Sequence, residues 1–167
     1  MLIVPGGGMF ADLVRDLGVS GTPAHWMAVS GMEQFGLYIA SHGVKPVSSI
    51  APPEGVEVLL PYSVLRETDP LPHTWDVTSD TIAAWVAQRL KTDLLLLKSV
   101  DGIQHRGRLL PAVHDPSLAC DEVDPLFLPF VFEHGLRARV INGRDDDRIR
   151  RALRDESVIG TLIDPRF

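Results

Sequence analysis

Four leucines in succession, Leu94 to Leu97, constrain the fold more than any other feature of the chain. They are entered from Asp93 and closed by Lys98. A strand presents alternate side chains to opposite faces, so a strand that is apolar throughout must be covered on both. That is the situation of a strand in a parallel sheet flanked by helices. The run is far short of the roughly 20 apolar residues that a membrane-spanning helix needs.

The remaining pattern alternates in the same sense. Leu2-Ile3-Val4 is a short apolar run closed by Pro5 and three glycines, a strand that ends in a tight loop. Phe10, Leu13, Val14 and Leu17 then have helical spacing, and Gly18 stops the helix. Thr22-Pro23 supplies a hydroxyl cap and a proline at the first helical position. The helix it opens, 22–41, is apolar around much of its circumference, which calls for burial on more than one side and predicts a homodimer through it. Strands are expected at 47–50 and 56–60, a short helix at 63–68, and a proline-fixed loop at 69–72. A helix from Thr78 or Ser79 to Leu90 leads to the leucine strand. A helix at 123–134, a strand at 139–141, a helix at 145–153 and a strand at 158–163 complete the order. Strands that alternate with helices indicate an α/β fold, a three-layer α/β/α sandwich with a mostly parallel central sheet. With no repeat and no linker, residues 1–167 are expected to form one domain.

Composition narrows the function. Asp and Glu outnumber Lys and Arg by 22 to 16, a net charge of −6. An acidic chain of this kind argues against nucleic acid or an anionic membrane as partner. One cysteine, Cys120, forms neither an internal disulfide nor a multi-thiolate zinc site. The first residues lack the basic and long apolar regions of a signal peptide, so a soluble, cytoplasmic protein is expected.

In open α/β sheets, ligands bind at the carboxyl ends of the strands, and three loops there are unusual. Gly6-Gly7-Gly8 lies between strand and helix, where backbone N–H groups can approach an oxyanion and the helix start favours negative charge. The same spacing also reads as a tight turn that needs glycine for geometry alone. It is neither a GxxxxGK[ST] loop nor a GxGxxG fingerprint. Asp76, Thr78, Ser79 and Asp80 crowd a helix start. They could hold a hydroxylated or cationic substrate or orient a lysine, but capping alone also accounts for them. Lys98-Ser99-Val100-Asp101-Gly102 delivers a lysine to the sheet edge where phosphates bind, or else ends the strand in a solvated turn. The six histidines lack HxxH or HExxH spacing, so no metal site is expected from them. Arg148, Arg150, Arg151 and Arg154 read as the solvated face of a helix that begins in Asp145-Asp146-Asp147.

Taken in order, VPGGGMFADLVRDL (4–17), DVTSDTIAAWVA (76–87), LLLLKSVDGI (94–103) and VINGRDDDRIRRAL…GTLI (140–163) resemble the motifs of the amino acid kinase superfamily, the group of aspartokinase, acetylglutamate kinase and uridylate kinase. AHWMAVSGMEQFG (24–36) resembles more narrowly the aminomethylfuran phosphate kinase branch, associated with methanofuran biosynthesis. The resemblance implies ATP- and Mg²⁺-dependent phosphoryl transfer to a small phosphate- or carboxylate-bearing acceptor. It assigns Gly6, Gly7, Gly8, Asp76 and Thr78 to the acceptor, and Asp80 and Lys98 to catalysis. Ser99, Asp101, Gly102 and Gly143 fall to the nucleotide. Relatives carry a strand, a Lys-x-Gly-Gly-Ser loop and a helix ahead of the motif that starts here at Val4. That departure sets a second expectation beside the first: a non-catalytic nucleotide- or small-molecule-binding relative, or a partner subunit.

Overall fold

The computed structural model describes residues 1–166, which fall into two compact units, Met1–Leu90 and the residues from Lys91 on. In the first unit, strand β1 (Leu2–Ile3) leads through the glycine loop into helix α1 (Gly8–Asp16) and then α2 (Gly21–Ala40). Strands β2 (Lys45–Val47) and β3 (Glu57–Leu59) follow, then α3 (Pro61–Thr68) and α4 (Ser79–Leu90). The sheet order is β1-β3-β2, all parallel, with Ile3 and Pro46 both in register with Val58. Val58 and Leu59 are fully shut from solvent, and Val29 and Leu65 nearly so.

Helix α2 is apolar on several sides because several elements cover it. Helices α1 and α3 and strands β2 and β3 all pack on it. At the α1 crossing Gly31 makes the approach possible: a Cβ there would sit 3.1 Å from the Phe10 Cβ and 3.2 Å from the Ala11 nitrogen. The N-terminal end of α2 is tied to the proline loop. His73 bonds Asp69 at 2.8 Å and the Thr22 hydroxyl at 3.0 Å, and its ring stacks on His25. Burial, and then His73, push the His25 imidazole down to about 4, so it is neutral at physiological pH. Arg66 lies 4.4 Å over the Trp26 ring, and Arg15 lies 4.8 Å over Trp75. The loop that delivers the chain to α4 is thus held by rings and cations on both α1 and α2.

The second unit opens with β4 (Leu94–Lys98), the leucine strand. Three two-residue strands follow, β5 (Gln104–His105), β6 (Arg108–Leu109) and β7 (Ala112–Val113). Then come α5 (Phe127–Glu133), β8 (Ala138–Asn142), α6 (Asp146–Ala152) and β9 (Thr161–Ile163). The main sheet has the order β4-β8-β9-β7. Pairing is parallel except between β8 and β9. Phe127, Val131, Val140, Ile141 and Ile163 form its fully buried centre.

The α/β class and the parallel pairing are as the sequence predicts; several boundaries move. Strand β2 lies at Lys45–Val47 rather than 47–50. It is an edge strand that tolerates Pro46, with Lys45 paired to Glu57 at 2.8 Å. The expected helix at 123–134 starts only at Phe127. Asp124 and Phe127 first close a turn around Pro125, and Pro129 then sits in the first helical turn, where its missing N–H costs nothing. The last strand begins at Thr161 rather than 158, because Gly160 passes so close to the Val140 carbonyl that a Cβ would lie 2.6 Å from it. Strands β5 and β6 form a hairpin whose two turn residues, Arg106 and Gly107, both have positive φ, as a two-residue type I′ turn requires. Among the described residues, no helix is long and apolar enough to cross a membrane.

Candidate functional site

In the first unit the glycine loop is shaped by close packing. A Cβ on Gly7 would overlap the Ala11 methyl. Gly8 has φ +50°, and a Cβ there would press on the Phe35 ring at 3.2 Å. Any side chain at these positions would displace α1. Gly7 is the N-cap of α1 and offers no side-chain cap, so the first N–H groups of the helix have no intrahelical acceptor. Gly8 and Met9 are exposed.

The start of α4 lies beside this loop: a Cβ built on Gly6 would stand 3.6 Å from the Ser79 hydroxyl. The structure therefore brings together the two places that the sequence marks separately, the triple glycine and the helix start at Thr78-Ser79-Asp80. Asp80 is 5% exposed and Thr81 fully buried, and neither is without a partner. Every residue from Asp80 to Ala87 is buried, so α4 is a core helix with a carboxylate at its first turn. The Thr78 carbonyl accepts the first helical N–H, from Ile82, at 3.1 Å. Asp76 is exposed, and it bonds locally: its N–H donates to the Thr74 hydroxyl at 3.2 Å.

In the second unit a group forms where β4 and β8 end side by side. Lys98 pairs in register with Asn142, and the Lys98 carbonyl accepts the Gly143 N–H at 2.8 Å. A Cβ on Gly143 would stand 2.9 Å from the Leu97 Cβ, so only glycine lets the β8 loop turn across the strand. Asp101 accepts from Arg148 Nη1 at 2.6 Å and from Asn142 Nδ2 at 3.1 Å. The Arg148 hydrogen bond, then the one from Asn142, hold its carboxyl below the usual 3.8. Gly102 has φ +154°, and a Cβ there would lie 2.6 Å from Thr161 Oγ1. That hydroxyl accepts the Ile103 N–H at 2.8 Å and donates to the Leu110 carbonyl at 2.6 Å. Ser99 is exposed.

The arginine cluster needs correcting at one position. Arg148 does not belong to a solvated face: its side chain is 13% exposed and pairs with Asp101 and Asp145. Asp145 caps α6 by accepting the Arg148 N–H at 3.0 Å, with Asp146 and Asp147 in the first turn. Sequence reasoning passed over Asn142 and Arg148 as fixing groups for Asp101. The parallel β4–β8 pairing that brings them together is a long-range event with no local signal.

These two glycine-shaped centres, on a parallel α/β frame, set the chain beside a known group of enzymes. Against solved structures the similarity spans nearly the whole chain. UMP kinase from Ureaplasma parvum matches with TM-score 0.69 and 17% identity, over 98% of this chain and 81% of that one. Uridylate kinase from Archaeoglobus fulgidus matches with TM-score 0.67 and 19% identity, over 97% and 83%. An isopentenyl phosphate kinase matches with TM-score 0.56 and 21% identity, over 97% and 82%. The chain has the amino acid kinase fold. Among characterised sequences, [5-(aminomethyl)furan-3-yl]methyl phosphate kinase of Methanocaldococcus jannaschii is 28% identical over 179 aligned positions, which cover 98% of this chain and 83% of that protein. No family model matches the chain. Within this amino acid kinase fold, the glycine loop and α4 belong to the first unit, and Lys98, Asp101, Gly102 and Gly143 to the second.

The Asp101 pairing has a pH signature. Its folded-state carboxyl titrates below the unfolded value, so the stabilisation is present above about pH 4 and is lost as pH falls through the folded pKa. Asp101→Asn should therefore be less stable than the parent at pH 6, with a gap that narrows as pH falls below about 4. Urea denaturation across that range checks this; a gap independent of pH would contradict it.

Proposed function

We propose that this chain transfers the γ-phosphoryl group of ATP to the phosphate of a small phosphate monoester, in the manner of an aminomethylfuran-type phosphate kinase acting in the synthesis of a methanofuran-type C1 carrier. The observation that carries this reading is the apposition of the uncapped glycine loop and the start of α4 beside a buried Asp80. Supporting it is a phosphate-monoester kinase at 28% identity along nearly the whole chain.

In this reading the free amides at the start of α1, from Gly8 on, hold the anionic end of the acceptor. Gly6 and Gly7 let the backbone come close enough to do so, while Asp76 and Thr78 contact the acceptor from the α4 side. An acceptor phosphate oxygen attacks the γ-phosphorus; the bond to the β-phosphate oxygen breaks, and ADP leaves. Little covalent chemistry falls to the protein, so positioning and charge do the work. Lys98 places a positive charge for the transferred group, and Asp80 orients the cationic partners of the phosphates. Ser99, Gly102 and Gly143 line the nucleotide, with Asp101 fixed by Arg148 and Asn142 as the post around which that loop turns.

Among the described residues, no three His, Cys, Asp or Glu side chains converge to hold a metal by themselves. That fits Mg²⁺, which commonly arrives with nucleotide phosphates and asks the protein for one or two carboxylates. Bound with ATP, Mg²⁺ would neutralise developing phosphate charge, and Asp80 is the carboxylate that would help to orient it.

An ADP-release assay with phosphate-monoester acceptors tests the reading. Asp80→Asn should lower kcat by about 10²–10³ while thermal unfolding shows a folded chain. ATP binding by calorimetry without turnover, on every monoester tried, would replace the reading with a non-catalytic binding relative or partner subunit. We further infer that two copies pair along α1 and α2. Met9 and Leu13 on α1 and Leu17 at its C-cap form an exposed stripe at four-residue spacing, with Leu37 and Tyr38 exposed on α2. Light scattering should give twice the chain mass; the mass of one chain at working concentration would contradict it.

A further inference from the structure

Residues 69–78 carry the chain from the end of α3 to the start of α4, and side chains do much of the fastening. Pro70 and Pro72 have no N–H to donate. The backbone contributes a turn near the far end, from the Val77 N–H to the Thr74 carbonyl at 3.3 Å.

His73 is the middle of that fastening. Asp69 ends α3 in a left-handed backbone, φ +42°, which aspartate tolerates better than most residues. Its carboxylate lies 2.8 Å from His73 Nε2. A carboxylate only accepts, so Nε2 bears the proton, and Nδ1 of the neutral ring accepts the Thr22 hydroxyl at 3.0 Å. One ring nitrogen thus holds the first residue of the loop, and the other holds the start of α2. The ring itself stacks on His25 with centroids 4.1 Å apart and meets the Trp26 ring edge-on at 5.1 Å. The His73 side chain is 19% exposed, although it sits in a surface loop. Two residues on, Trp75 lies under Arg15 of α1. Asp76 and Thr78, the acceptor residues of the phosphoryl-transfer reading, follow directly.

We infer that His73 is a positioning residue for the acceptor: by tying Asp69 to Thr22 and stacking on His25, it fixes where Asp76 and Thr78 stand beside the glycine loop. This role rests on the phosphoryl-transfer reading and adds to it a residue that touches neither substrate. A misplacement of about 1 Å is enough to cost a position-dependent reaction up to about 10²-fold. The cost falls on acceptor binding. Asp80 belongs to a helix buried from its first turn onward, which packing holds without the loop, and the nucleotide residues lie in the second unit.

Steady-state kinetics of the full chain, with ATP and [5-(aminomethyl)furan-3-yl]methyl phosphate, test this. His73→Ala should raise the acceptor KM about tenfold, with kcat and the ATP KM within about twofold of the parent. His73→Gln restores a donor toward Asp69 and should recover part of that loss. Thr22→Val, at an exposed position, removes one of the two bonds and should raise the acceptor KM about threefold; it carries the test if His73→Ala does not fold. A residue that only stabilised the chain would, when replaced, lower the melting temperature and the amount of active protein, and so kcat, at the parent's acceptor KM. That pattern, or both KM values rising together, would overturn the role of His73 while the parent's turnover upholds phosphoryl transfer. A folded parent chain that transfers nothing from ATP to this acceptor would overturn both.

Discussion

Helix α1 can begin where it does because positions 7 and 8 carry no side chains. One Cβ would overlap Ala11 and the other would press on Phe35 in a left-handed backbone. This steric requirement sets the loop, and the loop sets the rest of the first unit. With α1 pushed up to α2, Gly31 accepts the backbone of α1, and α2 is sealed along one side. The same crowding denies the helix a capping side chain. Its first amides are left to whatever reaches them, and the start of α4 stands beside them. Packing alone thus requires these glycines, and the binding role proposed for them asks nothing different of the backbone.

The second unit has a comparable knot at Thr161. Its buried hydroxyl accepts from Ile103 and donates to Leu110, and it occupies the space a side chain at Gly102 would need. The loop after the leucine strand is thereby fastened to β9. Asp101 is held in turn by Asn142 from β8 and Arg148 from α6. Three of the residues that the family likeness gives to the nucleotide, Ser99, Asp101 and Gly102, thus sit in a loop fixed from three elements, which suits chemistry that depends on positioning.

Much of this was legible in the sequence wherever the signal was local. Helices α1, α2 and α4 follow from apolar spacing, with Gly18 and Thr78-Ser79 as punctuation, and the leucine strand follows from its own composition; α2 starts at Gly21 with Ser20 as its N-cap rather than at the expected Thr22 cap, whose hydroxyl bonds His73 instead. Asp80 stood out as an acidic residue at a helix start, although its burial did not. The hairpin of β5 and β6 went unread because its strands are two residues long and carry Gln, His and Arg, with no alternation to detect. Helix α5 was begun too early because Val123 continues the apolar pattern, while the turn from Asp124 to Phe127 does not show in it. Arg148 looked like one of four solvated arginines. Its partner is 47 residues away, and only the pairing of β4 with β8 and the start of α6 bring the two together.

The central claim is that the amides opening α1, together with the start of α4, grip a phosphate. Amide resonances of the isotope-labelled chain, titrated with [5-(aminomethyl)furan-3-yl]methyl phosphate and separately with the corresponding alcohol, address it most directly. The account predicts saturable shifts at Gly6, Gly7, Gly8, Met9 and Ser79 with the phosphate and none with the alcohol. Shifts that spare these five residues, or that the alcohol reproduces, would contradict it.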